Sequence, residues 1–294
     1  MPSVCAVVVT HNRRMLLEEC LAALHAQIRP PEEILVVDNA STDGTAELVR
    51  AKHPGVKLLA LPHNEGGAGG FHEGLKAGHA AGHDWIWLMD DDAIPTEEAL
   101  KALLAGGDDA AELGPLPLLL ASKVVWIDGR LHPMNHPGFD RDTALVIAAV
   151  RRRLIPLRTS TFVSLLVHRA AIDRHGLPLK RFFLWSDDIE YCARILRLNR
   201  GYLVPSSIVL HKTPEPYTAI TTSGARFYFH VRNTLYMIRG SAWSTSEKAS
   251  FVFILLSSSI SYLRFNRFRP RNVAIVLRGL RDGVRPGAPV PGRP

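Results

Sequence analysis

Trp85-Ile86-Trp87-Leu88-Met89-Asp90-Asp91-Asp92 is an apolar run that ends in three consecutive carboxylates. Such a run reads as a buried strand. Its acids then stand at the carboxyl edge of a sheet, where open α/β sheets bind their ligands. Three adjacent like charges repel one another, so a positive partner is expected among them. A divalent cation carrying a diphosphate suits the place, because Mg²⁺ or Mn²⁺ typically takes one or two protein carboxylates plus phosphate oxygens. The plainer alternative is a solvated acidic turn, since Pro95-Thr96-Glu97-Glu98 has the composition of a helix start.

Outward from this stretch, the first hundred residues alternate strand and helix patterns. Val4–Val9 reads as a strand and Arg14 to about Ala26 as a helix with Leu16, Leu17, Cys20, Leu21 and Leu24 on one face. Strand Ile34–Val37, a turn over 39–44, helix Thr45–Lys52 and strand Val56–Ala60 follow. A Gly-rich turn at Gly66–Gly70 is expected to open a helix from Phe71 to Ala81. Alternation at this spacing implies right-handed βαβ units, hence an α/β fold with a mostly parallel sheet flanked by helices. Further on, Ser122–Trp126, Thr143–Val150 and Phe162–Val167 are expected as strands, 188 to 198 as a helix, and Tyr202–Leu210 as a strand. After Pro216 the pattern turns to long helices rich in Arg and aromatics, with a Pro/Gly-rich, frayed end at Arg285–Pro294.

Composition narrows the class. With 47% hydrophobic and 21% charged residues in 294, the chain is globular. No stretch reaches the roughly 18–20 apolar residues of a spanning helix, and the N-terminus begins directly with a strand pattern. Cys5, Cys20 and Cys192 lack metal spacing and suit reduced core thiols of a cytoplasmic protein. From Gly224 to Pro294 there are 12 Arg or Lys and two acids, a local net of +10 against +7 overall, so residues 1–223 carry about −3. A mildly acidic body over 1–215 is therefore expected to carry the site, with a basic helical appendage over 216–294.

Asp38 ends the second strand and can accept hydrogen bonds from a base or ribose, whereas Ser41 and Asp43 suit an Asx turn or helix cap. Asn64-Glu65-Gly66-Gly67-Ala68-Gly69-Gly70-Phe71 resembles a phosphate-cradling loop ahead of a helix N-terminus. It matches neither the dinucleotide fingerprint nor the P-loop.

Taken together, Val7-Val8-Val9-Thr10-His11-Asn12, the segment Val36 to Gly44, and Asp90-Asp91-Asp92 resemble family 2 glycosyltransferases of the GT-A fold. The resemblance covers residues 1 to about 215. It implies that these segments hold the nucleotide base, the ribose and a metal-bound diphosphate, with Thr10, Asp38, Asn64, Gly66, Gly67 and Asp91 on the donor side. A narrower likeness rests on Phe182-Phe183-Leu184-Trp185-Ser186-Asp187-Asp188-Ile189-Glu190-Tyr191, on Leu210-His211 and on Tyr228-Phe229-His230-Val231-Arg232-Asn233. These resemble galactofuranosyltransferases that build actinobacterial cell-wall galactan. By that likeness Asp90, Asp92 and His211 bind the divalent metal and Asp188 is the general base. Ser186 is an extra residue between Trp185 and the acid pair, which leaves the alignment of Trp185 open. The short C-terminal section resembles the smaller enzymes that add the first galactofuranose units to a lipid-linked primer.

The residue types suit this chemistry. Inverting transfer from a nucleotide diphosphate needs a metal for the leaving group and a base for the acceptor hydroxyl. Mixed oxygen and imidazole ligation favours Mn²⁺ over Mg²⁺, and a positioned base contributes roughly 10²- to 10⁴-fold. In isolation, Asp187-Asp188 would be an ordinary acid pair at a helix start. Trp185 is a sugar-stacking platform or a core aromatic; Glu190 orients an acceptor hydroxyl or is simply exposed. In the tail, Phe251–Leu256 and Ile260–Leu263 precede Arg264, Arg267, Arg269 and Arg271. This is too short to span a bilayer but suited to an anionic membrane surface, or else a packed helical hairpin with a solvated Arg face. The expectation is transfer of galactofuranose from UDP-galactofuranose to a polyprenyl-diphosphate-linked glycan, peripherally at the inner face of the cell membrane. No nucleic-acid partner is expected. The alternatives are a dTDP-rhamnose-dependent rhamnosyltransferase and a catalytically silent sugar-nucleotide-binding scaffold.

Overall fold

The first strand, β1 (Val4–Thr10), is buried along its whole length, as a run of small and β-branched apolar residues without polar alternation predicts for a strand covered on both faces. Its side chains divide by parity. Val4, Ala6 and Val8 enter one core and Cys5, Val7 and Val9 the other. The computed structural model describes residues 2–215 and 220–285, so the frayed end expected beyond Arg285 lies outside the described residues. After β1 come α1 (Arg14–His25), β2 (Glu33–Asp38), α2 (Thr45–Lys52), β3 (Lys57–Ala60), α3 (Gly66–Ala80), β4 (Trp85–Asp90), β5 (Ala93–Pro95) and α4 (Ala99–Ala111). The middle of the chain supplies β6 (Leu119–Val125), β7 (Gly138–Phe139), α5 (Thr143–Val150), β8 (Ile155–Thr159), β9 (Leu165–His168) and α6 (Arg169–His175). Then follow α7 (Asp187–Leu196), β10 (Gly201–His211), α8 (Phe227–Arg239), α9 (Thr245–Phe265) and α10 (Pro270–Val284).

The strands form one sheet in the order β3-β2-β1-β4-β9-β6-β10-β8-β7, with β5 also on β10. β3, β2, β1 and β4 run parallel, as do β6 and β10. β9 lies between β4 and β6 and runs against both. The mostly parallel, helix-flanked sheet expected from the βαβ alternation is present. A chain of buried hydroxyls crosses its centre: Trp87 Nε1 donates to Ser164 Oγ at 2.9 Å, and Ser122 Oγ lies 2.7 Å from both Ser164 and Ser207.

Three local expectations are corrected. Thr143–Val150 is a helix, not a strand: the Asp142 carboxylate accepts from the Ala144 and Leu145 N–H groups and caps it. Only Ala149 of that run is buried, so the β-branched residues have no sheet to join. Phe162–Ser164 forms a 3₁₀ turn, and the strand begins at Leu165. The Gly-rich stretch is the first turn of α3 rather than a turn preceding Phe71. Its glycines mainly serve packing, since a Cβ on Gly70 would meet Val9 at 2.4 Å and one on Gly74 would meet Val7 at 2.3 Å. Glycine costs about 1 kcal/mol per helical position relative to alanine, and here it lets α3 lie directly on β1.

The C-terminal helices are packed onto this body. Through Tyr236 and Met237, α8 meets Phe182, Ala193 and Ala68; its opposite face meets α9 and α10 through Phe227 and Val231. Arg158 ties the start of α9 to the sheet, pairing with Glu247 at 2.8 Å, donating to Ala193 and Ala242 carbonyls and lying over the Trp243 ring. The close approach of α3 to β1 predicts that Gly74→Val costs about 1–3 kcal/mol. The measurement is a lower urea midpoint with unchanged m-value.

Candidate active site

Strand register assembles the site. Thr10 pairs with Asp38 across β1–β2, and Val9 with Asp90 across β1–β4, so these strand ends share one edge. The triplet acquires a histidine from far along the chain because β5 pairs antiparallel with the end of β10, setting Ala93 opposite His211. The Lys212 N–H also donates to the Asp92 carbonyl at 2.8 Å.

The ligand atoms of Asp90, Asp92 and His211 all lie within 4.8 Å of one another. His211 Nδ1 is 2.8 Å from Asn135 Oδ1, and Asn135 Nδ2 donates to Thr161 Oγ1 at 2.9 Å. An amide oxygen only accepts, so Nδ1 carries the proton and a neutral ring presents a bare Nε2. That nitrogen faces Asp92 Oδ1 at 3.2 Å, without hydrogen-bond alignment, and this oxygen is a buried atom with no hydrogen bond. When the ring is neutral, its Nε2 lone pair and the buried carboxylate oxygen converge on one point, which suits a divalent cation. The three residues therefore fit a metal.

The positive partner expected among the acids is Arg13, which sequence reasoning did not single out. Its Nη1 lies 2.7 Å from Asp92 Oδ2 and 3.3 Å from Asp91 Oδ1. Thr10 Oγ1 donates to the other oxygen of Asp91 at 2.8 Å. Burial, then Asp92 and Asp91, push Asp90 well above the usual carboxylate range. Asp91 is pushed up to about 6, mainly by burial. For Asp92 burial acts in the same sense, but His211, whenever its ring is protonated, and Arg13 outweigh it and hold the group low. At the start of α7, Asp187 is buried and raised by burial and by Asp188. Asp188 is pushed up to about 6 by burial, against hydrogen bonds from backbone amides that include Ile189 and Phe162. The Asp188 charge is itself among those that raise Asp90. Triplet and acid pair are therefore close enough to feel each other's charge.

On the donor side, Asp38 Oδ1 accepts from the Ser41 N–H at 3.0 Å, so part of its task is the turn itself. Asn64 Oδ1 accepts from the Gly66 N–H, and the buried Asn39 closes the same turn, accepting from Glu65 N and donating to Gly66 O, all at 2.8 Å. Gly66 has φ +72°, and a Cβ there would stand 2.0 Å from the Phe183 carbonyl oxygen; a Cβ on Gly67 would meet open space. On the other wall, Trp185 is half-buried rather than a core residue, with the Arg226 guanidinium 5.9 Å from its ring centroid. Glu190 requires correction. It is buried, and both its oxygens are held by Arg194 at 3.0 and 3.1 Å, so it is neither exposed nor open to an acceptor. Arg13 and Asn39 adjoin motifs already noted and were within reach of the sequence; Asn135, in an irregular loop, gave no signal.

A family model described as glycosyl transferase family 2 matches residues 5–113. Galactofuranosyltransferase GlfT1 of Mycolicibacterium smegmatis is 32% identical over 249 residues, covering 80% of this chain and 82% of the relative. The chain belongs to glycosyltransferase family 2. An N-acetylglucosaminyl-diphospho-decaprenol L-rhamnosyltransferase of Mycobacterium tuberculosis is 29% identical, over 70% of this chain and 74% of its own length. Among solved structures, S. aureus TarS 1–349 in complex with UDP-GlcNAc superposes with TM-score 0.64 at 18% identity, covering 96% of this chain and 80% of that one. This family 2 enzyme thus has the GT-A fold. Because Asn135 sets the His211 tautomer, Asn135→Ala is expected to weaken Mn²⁺ binding by about 10- to 100-fold, read by Mn²⁺ electron paramagnetic resonance titration.

Proposed function

We propose that the chain is an inverting, metal-dependent galactofuranosyltransferase that moves galactofuranose from UDP-galactofuranose to a lipid-linked glycan. The observation that carries this is the meeting of Asp90, Asp92 and His211 ligand atoms within 4.8 Å, with Asp188 close enough to raise Asp90. Asp90, Asp92 and His211 would hold Mn²⁺ or Mg²⁺, which when bound supplies Lewis-acid charge neutralisation to the departing diphosphate. Thr10, Asp38, Asn64, Gly66, Gly67 and Asp91 form the donor side, with Arg13 able to shift from the triplet towards phosphate. Trp185 and Asp187 face the acceptor. Asp188 takes the acceptor proton as the oxygen attacks the anomeric carbon. The similarity to galactofuranosyltransferases over most of both chains favours this donor. The relationship to a rhamnosyltransferase supports dTDP-rhamnose as the second choice.

The partner surface follows from the C-terminal helices. α9 exposes Phe253, Leu256 and Ile260, at 72%, 59% and 53%, and Arg264, Arg267, Arg269, Arg271 and Arg278 are exposed beside them. Among the described residues no helix is long and apolar enough to cross a membrane. An exposed apolar face rimmed by arginines suits the surface of an anionic leaflet, where each basic residue contributes about 1 kcal/mol. In this reading residues 1–215 perform catalysis, and 216–294 hold the enzyme at the inner face of the cell membrane beside a polyprenyl-diphosphate acceptor.

Asp188→Asn is expected to lower transfer by about 10²- to 10⁴-fold while UDP still binds; unchanged turnover would leave the silent-scaffold alternative standing. The base works only when ionised. With Asp188 at about 6, the rate should fall about tenfold per unit below that pH and level off above it, as a pH–rate profile of kcat/KM will show. Thermal shifts with UDP, dTDP and GDP, each with and without Mn²⁺, test the donor. A UDP-selective, metal-dependent rise supports galactofuranose, a dTDP-selective one rhamnose. Cosedimentation with anionic vesicles should be lost in Phe253→Glu/Leu256→Glu.

A further inference from the structure

Between Phe182 and the start of α7, the chain is held in an unfavourable conformation. Phe183, Trp185 and Ser186 have φ of +61°, +66° and +67°, and none is glycine. Sparsely populated backbone states of this kind are strained and persist only where surrounding structure over-determines them. Here the surroundings are two adjacent residues of α8. Asn233 Nδ2 lies 3.1, 2.8 and 2.8 Å from the carbonyl oxygens of Phe182, Leu184 and Trp185. Arg232 Nη2 donates to the Arg181 and Phe182 carbonyls at 3.0 and 2.6 Å, and Arg232 Nε donates to Asn233 Oδ1 at 3.0 Å, fixing the amide's orientation.

Both side chains are fully buried. Among the described residues no carboxylate pairs with Arg232. Its guanidinium rests on backbone carbonyls and on the rings of Tyr228, Phe229 and Tyr236, 5.0–5.3 Å from their centroids. A buried cation without a counter-ion is costly, and simple packing of α8 would be met by an apolar side chain. The clamped segment also reaches the donor side: Phe183 O accepts from Ala68 N at 3.2 Å and abuts Gly66.

We propose that Arg232 and Asn233 are positioning residues that lock residues 182–186 and so aim Trp185 and the Asp188-bearing end of α7 at the acceptor. This rests on the assignment of Asp188 as the base. The clamp gathers successive carbonyls of one segment onto one amide and one guanidinium, so the segment cannot shift piecemeal.

The test uses Asn233→Asp and Arg232→Lys, which keep volume, alongside Asn233→Ala. Thr234→Ala serves as control: Thr234 lies on the same helix, is buried and bonds to the His230 carbonyl. In the full chain with Mn²⁺, amide hydrogen exchange over residues 183–189 should quicken about tenfold or more in the clamp variants, with the central strands unchanged. UDP affinity should hold while kcat falls about 10²-fold, the scale of a misplacement near 1 Å. Thr234→Ala should do neither. Unchanged exchange would overturn the clamp; quickened exchange with intact transfer would show that it aims nothing catalytic. A fully active Asp188→Asn in the same assay would remove the base assignment, while the exchange result still decides the clamp. Should Asn233→Ala fail to fold, the two volume-conserving variants decide.

Discussion

Mutual repulsion among buried acids is the constraint around which this enzyme is built. Asp90, Asp91, Asp92, Asp187 and Asp188 crowd one end of a sheet; burial acts to raise all five, and only Asp92 ends below its ordinary range. One half-exposed arginine and one histidine do not balance that charge. The cluster is tolerable because the folded state has partners available: Arg13 in this structure, and a divalent cation with its diphosphate in the reaction we propose. Stability given up at the edge is regained in the two cores beneath it.

The architecture delivers those charges by two different routes. Parallel neighbours β2, β1 and β4 end level with one another, so Thr10, Asp38 and Asp90 arrive together by simple register. His211 and Asp188 arrive otherwise. One is brought back by an antiparallel pairing between β5 and β10; the other sits at a helix start that follows a strained stretch of chain. The first route is local and repetitive, the second depends on contacts between distant segments.

That difference decides what could be read from the sequence. The fully buried β1 and the acids after β4 are visible as hydrophobic runs and their terminations, and the alternation of elements up to Met89 foretold the sheet. Asp90, Asp92, His211 and Asp188 were singled out through resemblance; the structure brings ligand atoms of the first three within 4.8 Å of one another and sets Asp188 near enough to raise Asp90. Thr143–Val150 misled because β-branched residues look like strand when Asp142 is not recognised as a cap. Glu190 misled because nothing in a linear chain shows that Arg194, one turn on, takes both its oxygens. Asn135 fixes the His211 ring only through folding of an irregular loop, and no periodicity marks it. The glycines of α3 were seen, but as a cradle, when most serve close helix–strand contact.

The reversed direction of β9 has a consequence for how such an enzyme can diversify. Because β9 runs against β4 and β6, its beginning, not its end, lies at the ligand edge, and the Phe162 amide just before it bonds to Asp188. In the reading proposed above, the floor beneath the acceptor is laid by chain entering the sheet and the nucleotide wall by chain leaving it. Changes in the few residues just before β9 remodel the first, while the second is set by the ends of β1, β2 and β4. On that reading the two walls can drift in shape separately, one kept to the nucleotide while the other is refitted to a new glycan.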